Sequence, residues 1–363
     1  MSAKRRVFLH VGAPKTATTY VQDRLARNAK LLAEHDVHFP TRPPRVNATL
    51  FHFRAALDLL GQDWGGHPGH ARGSWDAMVR RARRRSGTVV ISHEILAPAP
   101  ADAIVRAKRD LADAELHIVY SARDLARQIP AAWQESVKQG RRWTYRRFLD
   151  GLEHDKPWFY RAFDLPSVLS AWGAGLDPSH VHVVTVPPAG APGDELWLRF
   201  CRVLGIDPAW APRDSERVNE SLGVAETQVV RRLNRRMDRA TRRESTFDEL
   251  IREMLAHNEL VGRVSPPVRM PPRLMPWAEA ETARWVEWIE QSGVDVVGDV
   301  ADLLPLPTPE GERYVDPDKV STKQQLRVAM DALTAMTREA ARRPDPDQQL
   351  IQKVRTHAKR IRE

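Results

Sequence analysis

The first apolar run of the chain lies at residues 7–12, where VFLHVG is nearly continuous. Strands of a parallel sheet that is covered on both faces have this pattern. After a turn of small and hydroxyl residues, apolar side chains recur at Val21, Leu25, Ala29 and Leu32, a spacing typical of an amphipathic helix. A strand, a turn and a helix in this order predict the opening βα unit of an α/β fold.

Similar apolar runs recur along the chain and alternate with helical patterns. The further predicted strands are residues 37–39, 88–92, 116–122 and 181–186, and helical patterns between them include residues 102–113 and 123–139. This alternation predicts an α/β fold with a doubly wound sheet of about five parallel strands.

A proline-rich segment divides the chain. Residues 305–317 contain four prolines and several charges, which predicts a linker. It separates a domain at residues 1–304 from a basic, amphipathic helical tail at residues 318–363. One apolar face of the tail comprises Leu326, Met330, Leu333, Met336 and Ala340, and a second comprises Leu350, Val354 and Ile361. Packing on the body, packing on another subunit in a homo-oligomer and contact with a membrane surface stay open as roles of the tail.

The formal net charge of +9 is concentrated in this tail. Residues 319–363 carry a net charge of +6, which leaves +3 for the rest of the 363-residue chain. The charge of the chain before residue 319 therefore does not indicate binding to a polyanion, and we expect no nucleic-acid partner. With 42% hydrophobic residues the chain can bury a core, and no apolar run approaches the roughly 18 residues of a membrane-spanning helix.

The start of the chain and its cysteine content predict a cytoplasmic protein. The opening MSAKRRVFLHVG is basic, but its apolar run ends at Pro14 and Lys15 without a cleavage site, so no signal peptide is expected. The single cysteine, Cys201, can form neither an intramolecular disulfide nor a cysteine-based metal site.

Residues 12–19, GAPKTATT, carry the strongest chemical signal. A helix N-terminus presents unpaired backbone N–H groups and binds anions. The side chains that strengthen such a site here are the point charge of Lys15 and the hydroxyls of Thr16, Thr18 and Thr19. Gly12 permits a sharp turn and Ala17 a close approach of a ligand to the backbone, so the segment predicts a cradle for an anion.

The spacing disfavours an ATP or GTP hydrolase. A Walker A loop that starts at Gly12 would need glycine at position 17 and lysine at position 18, where the chain has Ala17 and Thr18. The lysine of this chain lies three positions early, and no strand ends in an obvious Walker B carboxylate. A P-loop kinase-like phosphotransferase is therefore the weaker alternative among enzymes.

The segment VFLHVGAPKTATTYVQDRL resembles the 5'-phosphosulfate-binding loop of the sulfotransferases that use 3'-phosphoadenosine 5'-phosphosulfate (PAPS). In that family a strand is followed by P-K-[ST]-[GA]-T-[ST] and a helix. The resemblance covers roughly residues 5–304 and implies a P-loop NTPase-like three-layer α/β/α fold with PAPS as co-substrate. The donor-binding residues that it implies are Lys15, Thr16, Ala17, Thr18 and Thr19.

A second segment, LHIVYSARDLARQIPAAWQESVKQG, extends the resemblance. In the family a strand ends in an arginine that binds the 3'-phosphate, and a serine follows on the next helix. Arg123 has the position of the arginine, whereas Ala131 stands where the serine is expected. The candidates that would replace the serine are Gln128, Gln134 and Ser136. A surface ion pair with Asp124 or a neighbour is the alternative role for Arg123.

The later segment RVNESLG lies where family members often supply further groups to the nucleotide. Arg217, Asn219 and Ser221 are therefore candidate ligands, and the alternative is an N-cap for the next helix.

Sulfuryl transfer needs a held donor, an activated acceptor oxygen and charge stabilisation on the leaving phosphate. Lys15 is the candidate for the charge stabilisation. TVVISHEIL places His93 and Glu94 just past the carboxyl end of a strand, at the edge where open α/β sheets bind ligands. Members of the family use a histidine or a glutamate as general base, and we favour Glu94 over His93. A cap of the following helix is the other role for this pair.

Two aromatic segments are candidates for acceptor binding, although most of their residues suit a core equally well. The first contains Phe51, Phe53, Trp64 and Trp75, and the second contains Trp143, Tyr145, Trp158, Phe159 and Tyr160. His52, His67 and His70 have irregular spacing, and we expect no metal. The leading hypothesis is in-line transfer of a sulfuryl group to a hydroxyl or amine of a small-molecule, glycan or lipid-linked acceptor. The alternative outside enzymes is a nucleic-acid or membrane-surface binder that acts through the basic tail.

Overall fold

A six-stranded, fully parallel sheet forms the centre of the protein. The computed structural model describes residues 4–41, 47–154, 158–216, 221–243, 247–263, 265–308 and 311–343. In chain order the strands are β1 Arg6–Gly12, β2 Val37–His38, β3 Thr88–Ser92, β4 Glu115–Ala122, β5 Val181–Thr185 and β6 Asp295–Val297. Across the sheet they lie in the order β2-β3-β1-β4-β5-β6.

The structure confirms the predicted α/β fold and the five predicted strands, and it adds a sixth. Strand β6 pairs with β5 through Asp295, Val296 and Val297 opposite His182, Val183 and Val184. With three residues, one of them an aspartate, β6 lacks the continuous apolar run that marks the inner strands. Its place in the sheet depends on tertiary packing at the edge.

The described residues form fourteen helices of five residues or more. They are α1 Thr18–Arg27, α2 Ala29–Ala33, α3 Ala48–Leu59, α4 Ser74–Arg83, α5 Ala101–Asp110, α6 Leu125–Lys138, α7 Tyr145–His154, α8 Trp158–Phe163, α9 Leu165–Gly173, α10 Glu195–Leu204, α11 Val224–Arg236, the π-helix α12 Asp248–Glu259, α13 Met275–Ser292 and α14 Thr322–Arg342. None of the described helices is long and apolar enough to cross a membrane.

The two faces of the sheet are covered by different helices. On one face, Phe8, Val119 and Val184 pack with the buried side chains of α1 and α10. On the other face, alternate residues such as Leu9 and Ile118 join a larger core to which α3, α5, α9 and α13 contribute. Successive strand residues point to opposite faces, so this alternation produces the three-layer α/β/α arrangement.

Helix α14 packs against α11 and α12. Its buried positions include Val328, Ala332 and Ala335, whereas Leu326 is 61% exposed. The predicted face that contains Leu326, Met330 and Leu333 is therefore exposed to solvent. The face that packs on α11 and α12 includes Ala332 and Ala335, whose small side chains allow the helices to approach closely. The second predicted face, with Leu350, Val354 and Ile361, lies outside the described residues. The domain boundary at residue 304 stays a prediction.

Candidate active site

The loop at residues 12–19 lies at the carboxyl end of β1, in the middle of the sheet. Strands β1 and β4 are neighbours, and the chain leaves β1 toward β2 but leaves β4 toward β5. Open α/β sheets bind their ligands outside the carboxyl ends of the strands at such a switch point. The backbone N–H of Ala13 donates to the carbonyl of Ser121 in β4 at 2.9 Å, which fixes the start of the loop.

The loop owes its shape to two left-handed residues and to short internal bonds. Lys15 and Ala17 have φ values of 66° and 62°, although neither is glycine. The hydroxyl of Thr16 donates to the carbonyl of Ala13 at 2.5 Å, and that of Thr18 donates to the same oxygen at 3.3 Å. Helix α1 begins at Thr18, so the backbone N–H groups of its first turn stand at the loop as donors for an anion.

Lys15 contacts a carboxylate that the sequence did not reveal. Its Nζ donates to Oε2 of Glu135 on α6 at 3.2 Å. The Lys15 side chain is 32% exposed and that of Glu135 is 11% exposed, so the lysine head lies at the rim of a largely covered contact. An anion bound at the loop would compete with Glu135 for this ammonium group.

Arg123 approaches the same loop from the end of β4. Its Nη1 donates to the carbonyl of Lys15 at 3.0 Å, while its buried Nε has no hydrogen-bond partner among the described residues. Burial, with a smaller contribution from the positive charge of Arg127, lowers the pKa of Arg123 to about 10. The predicted alternative, an ion pair with Asp124, is not what the structure has, because Asp124 pairs with Arg127 and caps α6.

The three candidates for the missing serine lie in different places. Nε2 of Gln128 donates to the carbonyl of Pro14 at 2.9 Å, so Gln128 contacts the loop. Gln134 instead donates to the carbonyl of Leu222. The hydroxyl of Ser136 donates to the carbonyl of Trp133, away from the loop, and accepts from the indole of Trp143.

His93 and Glu94 stand beside the loop at the end of β3. The backbone N–H of His93 donates to the carbonyl of His10 at 3.0 Å, and Glu94 opens a 3₁₀ turn, Glu94–Leu96. A Cβ added to Gly12 would lie 3.2 Å from the carbonyl oxygen of Glu94, so glycine permits this close approach. The base candidates therefore border the anion loop directly.

The two base candidates differ in how they are held. Nδ1 of His93 accepts from the backbone N–H of Ile95 at 3.3 Å, which is the predicted capping role. His93 is buried, and burial lowers the pKa of its imidazole despite the neighbouring carboxylate. The Glu94 side chain is 28% exposed and lies 3.6 Å from Nδ1 of His93. Glu94 is thus the candidate whose carboxylate reaches solvent.

A buried histidine that was not among the predicted site residues connects the three strands next to the loop. His10 lies in β1, with Nδ1 2.8 Å from the hydroxyl of Ser92 in β3 and Nε2 2.6 Å from that of Ser121 in β4. Burial lowers the pKa of His10 to about 3, with a contribution from His93, so the ring is neutral at physiological pH. The signal was one polar residue within the apolar run VFLHVG.

The predicted nucleotide residues after α10 are only partly described. Arg217 and Asn219 lie outside the described residues, and Ser221 is exposed. On one side of them the backbone of Glu216 donates to Asp23 of α1 at 3.0 Å. On the other side Leu222 accepts from Gln134 of α6. Glu216 and Leu222 are therefore bonded to the helices that follow β1 and β4, respectively.

The first aromatic segment contributes to both the core and the surroundings of the base candidates. Phe51 and Trp75 are buried in the core. Phe53 lies 5.2 Å from the ring of His93 and 5.1 Å from that of Trp64, which is 46% exposed. Phe53 thus contacts both His93 and the exposed Trp64. In the second segment, Tyr145 is fully buried and the other members pack around the core.

Comparisons with known proteins identify one structural neighbour. No model of a known protein family matches this chain, and no curated protein matches it significantly. A solved sulfotransferase from Alicyclobacillus acidocaldarius has 15% sequence identity and a TM-score of 0.38, and the match covers 78% of this chain and 95% of that chain. This chain is similar to a sulfotransferase.

Proposed function

We propose that this protein transfers a sulfuryl group from PAPS to a hydroxyl or amine of an acceptor molecule. The observation that carries the proposal is that two cationic residues meet at the loop before α1: Lys15 belongs to the loop, and Nη1 of Arg123 donates to the carbonyl of Lys15. PAPS has two separate anionic groups, the 5'-phosphosulfate and the 3'-phosphate, and so offers one to each cation. The lysine position, which departs from a Walker A loop, supports this donor over ATP.

In this proposal each anionic part of the donor has a partner. The first-turn N–H groups at Thr18 and Thr19 and the ammonium of Lys15 would bind the phosphosulfate. Arg123, whose buried Nε has no hydrogen-bond partner among the described residues, would bind the 3'-phosphate. Lys15 would leave Glu135 and neutralise the charge that develops on the leaving phosphate.

Glu94 is the proposed general base. In an in-line displacement the acceptor oxygen forms a bond to sulfur while the bond from sulfur to the bridging phosphate oxygen breaks. The electron pair of that bond leaves with 3'-phosphoadenosine 5'-phosphate, and the acceptor proton moves to the carboxylate of Glu94. His93 is less suited because its Nδ1 already accepts from Ile95. Phe53 and Trp64 support an acceptor site on this side.

Calorimetry on the full chain tests the donor class. We expect 3'-phosphoadenosine 5'-phosphate, the product nucleotide, to bind more tightly than ATP in the absence of metal. Binding of ATP without binding of the bisphosphate would refute the proposal and favour the phosphotransferase alternative.

The Lys15→Ala variant tests the chemical role. Loss of one preorganised donor costs about 2.7–4 kcal/mol, or roughly 100- to 1,000-fold in kcat. Lys30→Ala removes an exposed lysine from α2 and is the matched control, with wild-type turnover expected. A Lys15→Ala variant with near wild-type turnover of PAPS would contradict the assigned role.

A further inference from the structure

A second group of polar side chains lies at the amino ends of the strands, at the opposite end of the sheet from the phosphate loop. Glu115 and His117 are at the amino end of β4, His182 is at the amino end of β5, and His180 immediately precedes β5. Asp295, in β6, lies directly opposite His182. The loop meets the other end of β4, about 20 Å away at 3.3 Å per residue, so this group is not part of the candidate active site.

A chain of three hydrogen-bonding contacts connects these residues. Oδ2 of Asp295 lies 2.7 Å from Nδ1 of His182, and Nε2 of His182 lies 2.9 Å from Nδ1 of His117. Nε2 of His117 in turn lies 3.0 Å from Oε1 of Glu115. The chain therefore has a carboxylate at each end and two imidazoles between them.

The two carboxylates decide where the protons lie. An ionised carboxylate only accepts hydrogen bonds, so Nδ1 of His182 must carry the proton that faces Asp295. Nε2 of a neutral His182 is then an acceptor, and Nδ1 of His117 must donate to it. If His117 is also neutral, its Nε2 lone pair faces the carboxylate of Glu115. Two acceptors at 3.0 Å repel each other unless a cation lies between them.

The cationic side chain of the neighbouring strand has another partner. Arg6 lies opposite Glu115 in the pairing of β1 with β4. Arg6 of β1 is a nearby cation, but its Nη2 donates to the hydroxyl of Thr88 at 2.9 Å.

The donor atoms suit a divalent metal. The ligand atoms of Glu115, His117 and His180 lie within 4.8 Å of one another. The ligand atoms of a tetrahedral zinc ion are about 3.4 Å apart, so side-chain shifts of roughly 1 Å would close the site. Two imidazoles, one carboxylate and an open fourth position are a common ligand set for Zn²⁺.

The surroundings of His117 match those of a metal ligand. Metal-bound histidines usually donate their other ring N–H to a partner that sets the tautomer, and here His182 with Asp295 behind it has that place. The ring of Phe8 stacks on His117 with centroids 4.4 Å apart and planes 17° apart, which fixes the plane of the imidazole.

We propose that Glu115, His117 and His180 bind one Zn²⁺ ion, with His182 and Asp295 orienting His117. The ion would join the amino ends of β4 and β5, and through Asp295 it would stabilise the short edge strand β6. The site does not touch the nucleotide loop, so its role is to stabilise the sheet and is independent of the transfer reaction.

Metal binding by the untagged full chain tests the proposal. After removal of metal with a chelator, titration against a chromogenic zinc indicator should show one equivalent bound. Co²⁺ should give the intense visible absorption of a tetrahedral site. His180→Ala and Glu115→Gln should abolish stoichiometric binding, and Asp295→Asn should weaken it by about 10- to 100-fold.

Two controls keep the test decisive. His67→Ala removes an exposed histidine elsewhere and should bind like the wild type, and circular dichroism should show every variant folded. Undiminished binding by the folded His180→Ala variant would refute the site. A metal-free protein that binds no Zn²⁺ and shows His117 as an imidazolium by NMR at pH 7 would also refute it, because a proton would then fill the gap.

Discussion

The contact between Lys15 and Glu135 predicts that removing the carboxylate tightens nucleotide binding. Oε2 of Glu135 accepts from Lys15 at 3.2 Å, and its Oε1 accepts from Nε2 of Gln139 at 3.2 Å. A phosphate or sulfuryl group that recruits Lys15 must break this ion pair and then lies near the carboxylate. Glu135→Gln removes both penalties and leaves a side chain of similar size.

The exposures of the pair set the expected magnitude. With side chains that are 32% and 11% exposed, the pair lies between a surface and a buried ion pair. We therefore assign the ion pair an interaction free energy of about 1 kcal/mol, the upper end of the range for exposed pairs. Since 1.4 kcal/mol corresponds to a factor of ten, the variant should bind 3'-phosphoadenosine 5'-phosphate about fivefold more tightly.

Calorimetry at two salt concentrations measures this change. The gain should shrink as salt rises, because screening weakens both the ion pair and the repulsion. Glu290→Gln removes the same charge from an exposed position on α13 and should leave affinity unchanged. Weaker or unchanged binding by Glu135→Gln would refute the competition. A fall in kcat of about 100- to 10,000-fold would instead identify Glu135 as the general base.

Three further predictions concern the other groups around the loop. Arg123→Ala should weaken the binding of 3'-phosphoadenosine 5'-phosphate by about 10- to 100-fold, which is the contribution of one charged hydrogen bond, and should change the binding of AMP little. Equal losses of affinity for the two nucleotides in calorimetry would contradict the assignment of Arg123 to the 3'-phosphate. Glu94→Gln should remove the acidic limb of the pH profile of kcat and about 100- to 10,000-fold of the rate, whereas His93→Ala should keep that limb; the reverse result would assign the base to His93. Because the folded pKa of His10 is about 3 against an ordinary 6.5, the unfolded state binds more protons between these values, and the free energy of unfolding should fall as the pH falls below 6.5. At pH 5 the loss should be about 2 kcal/mol, and urea titrations of His10→Gln should show a shallower pH dependence; an unchanged slope would contradict this.

The strands that could be predicted from the sequence are those whose burial leaves a continuous apolar run in the chain. Strands β1, β3, β4 and β5 are covered on both faces, so each appears in the sequence as a continuous apolar run. Strand β6 has no such run, and only its register with β5 places it. The apolar pattern did not reveal which face of α14 packs on the body for a related reason: the contact surface includes small residues such as Ala332 and Ala335, which are less hydrophobic than leucine and methionine.

The candidate site likewise has a part that the sequence predicted and a part that it did not. The spacing around Lys15 predicted the anion loop because the strand, the turn and the helix N-terminus are contiguous in the chain. Glu135 is 120 residues away and reaches Lys15 only because β4 lies beside β1. The histidine cluster left a sequence signal that was missed, since LHIV and VHVV each have a histidine near the start of an apolar run, and the two runs form neighbouring strands.

The geometry of α6 connects the substitution at Ala131 with the Lys15 contact. Gln128 and Glu135 are seven residues apart, two helical turns, and both contact the loop, so they lie on one face of the helix. Ala131 is three residues after Gln128 and lies on that face between them. Where the resemblance predicts a hydroxyl, this chain thus has a methyl group flanked by an amide and a carboxylate that already hold the loop. Of the three candidates for the replacement of the serine, Gln128 is therefore the one we favour, because its side chain contacts the loop at Pro14. Glu135 binds the ammonium group of Lys15 from the same face of the helix.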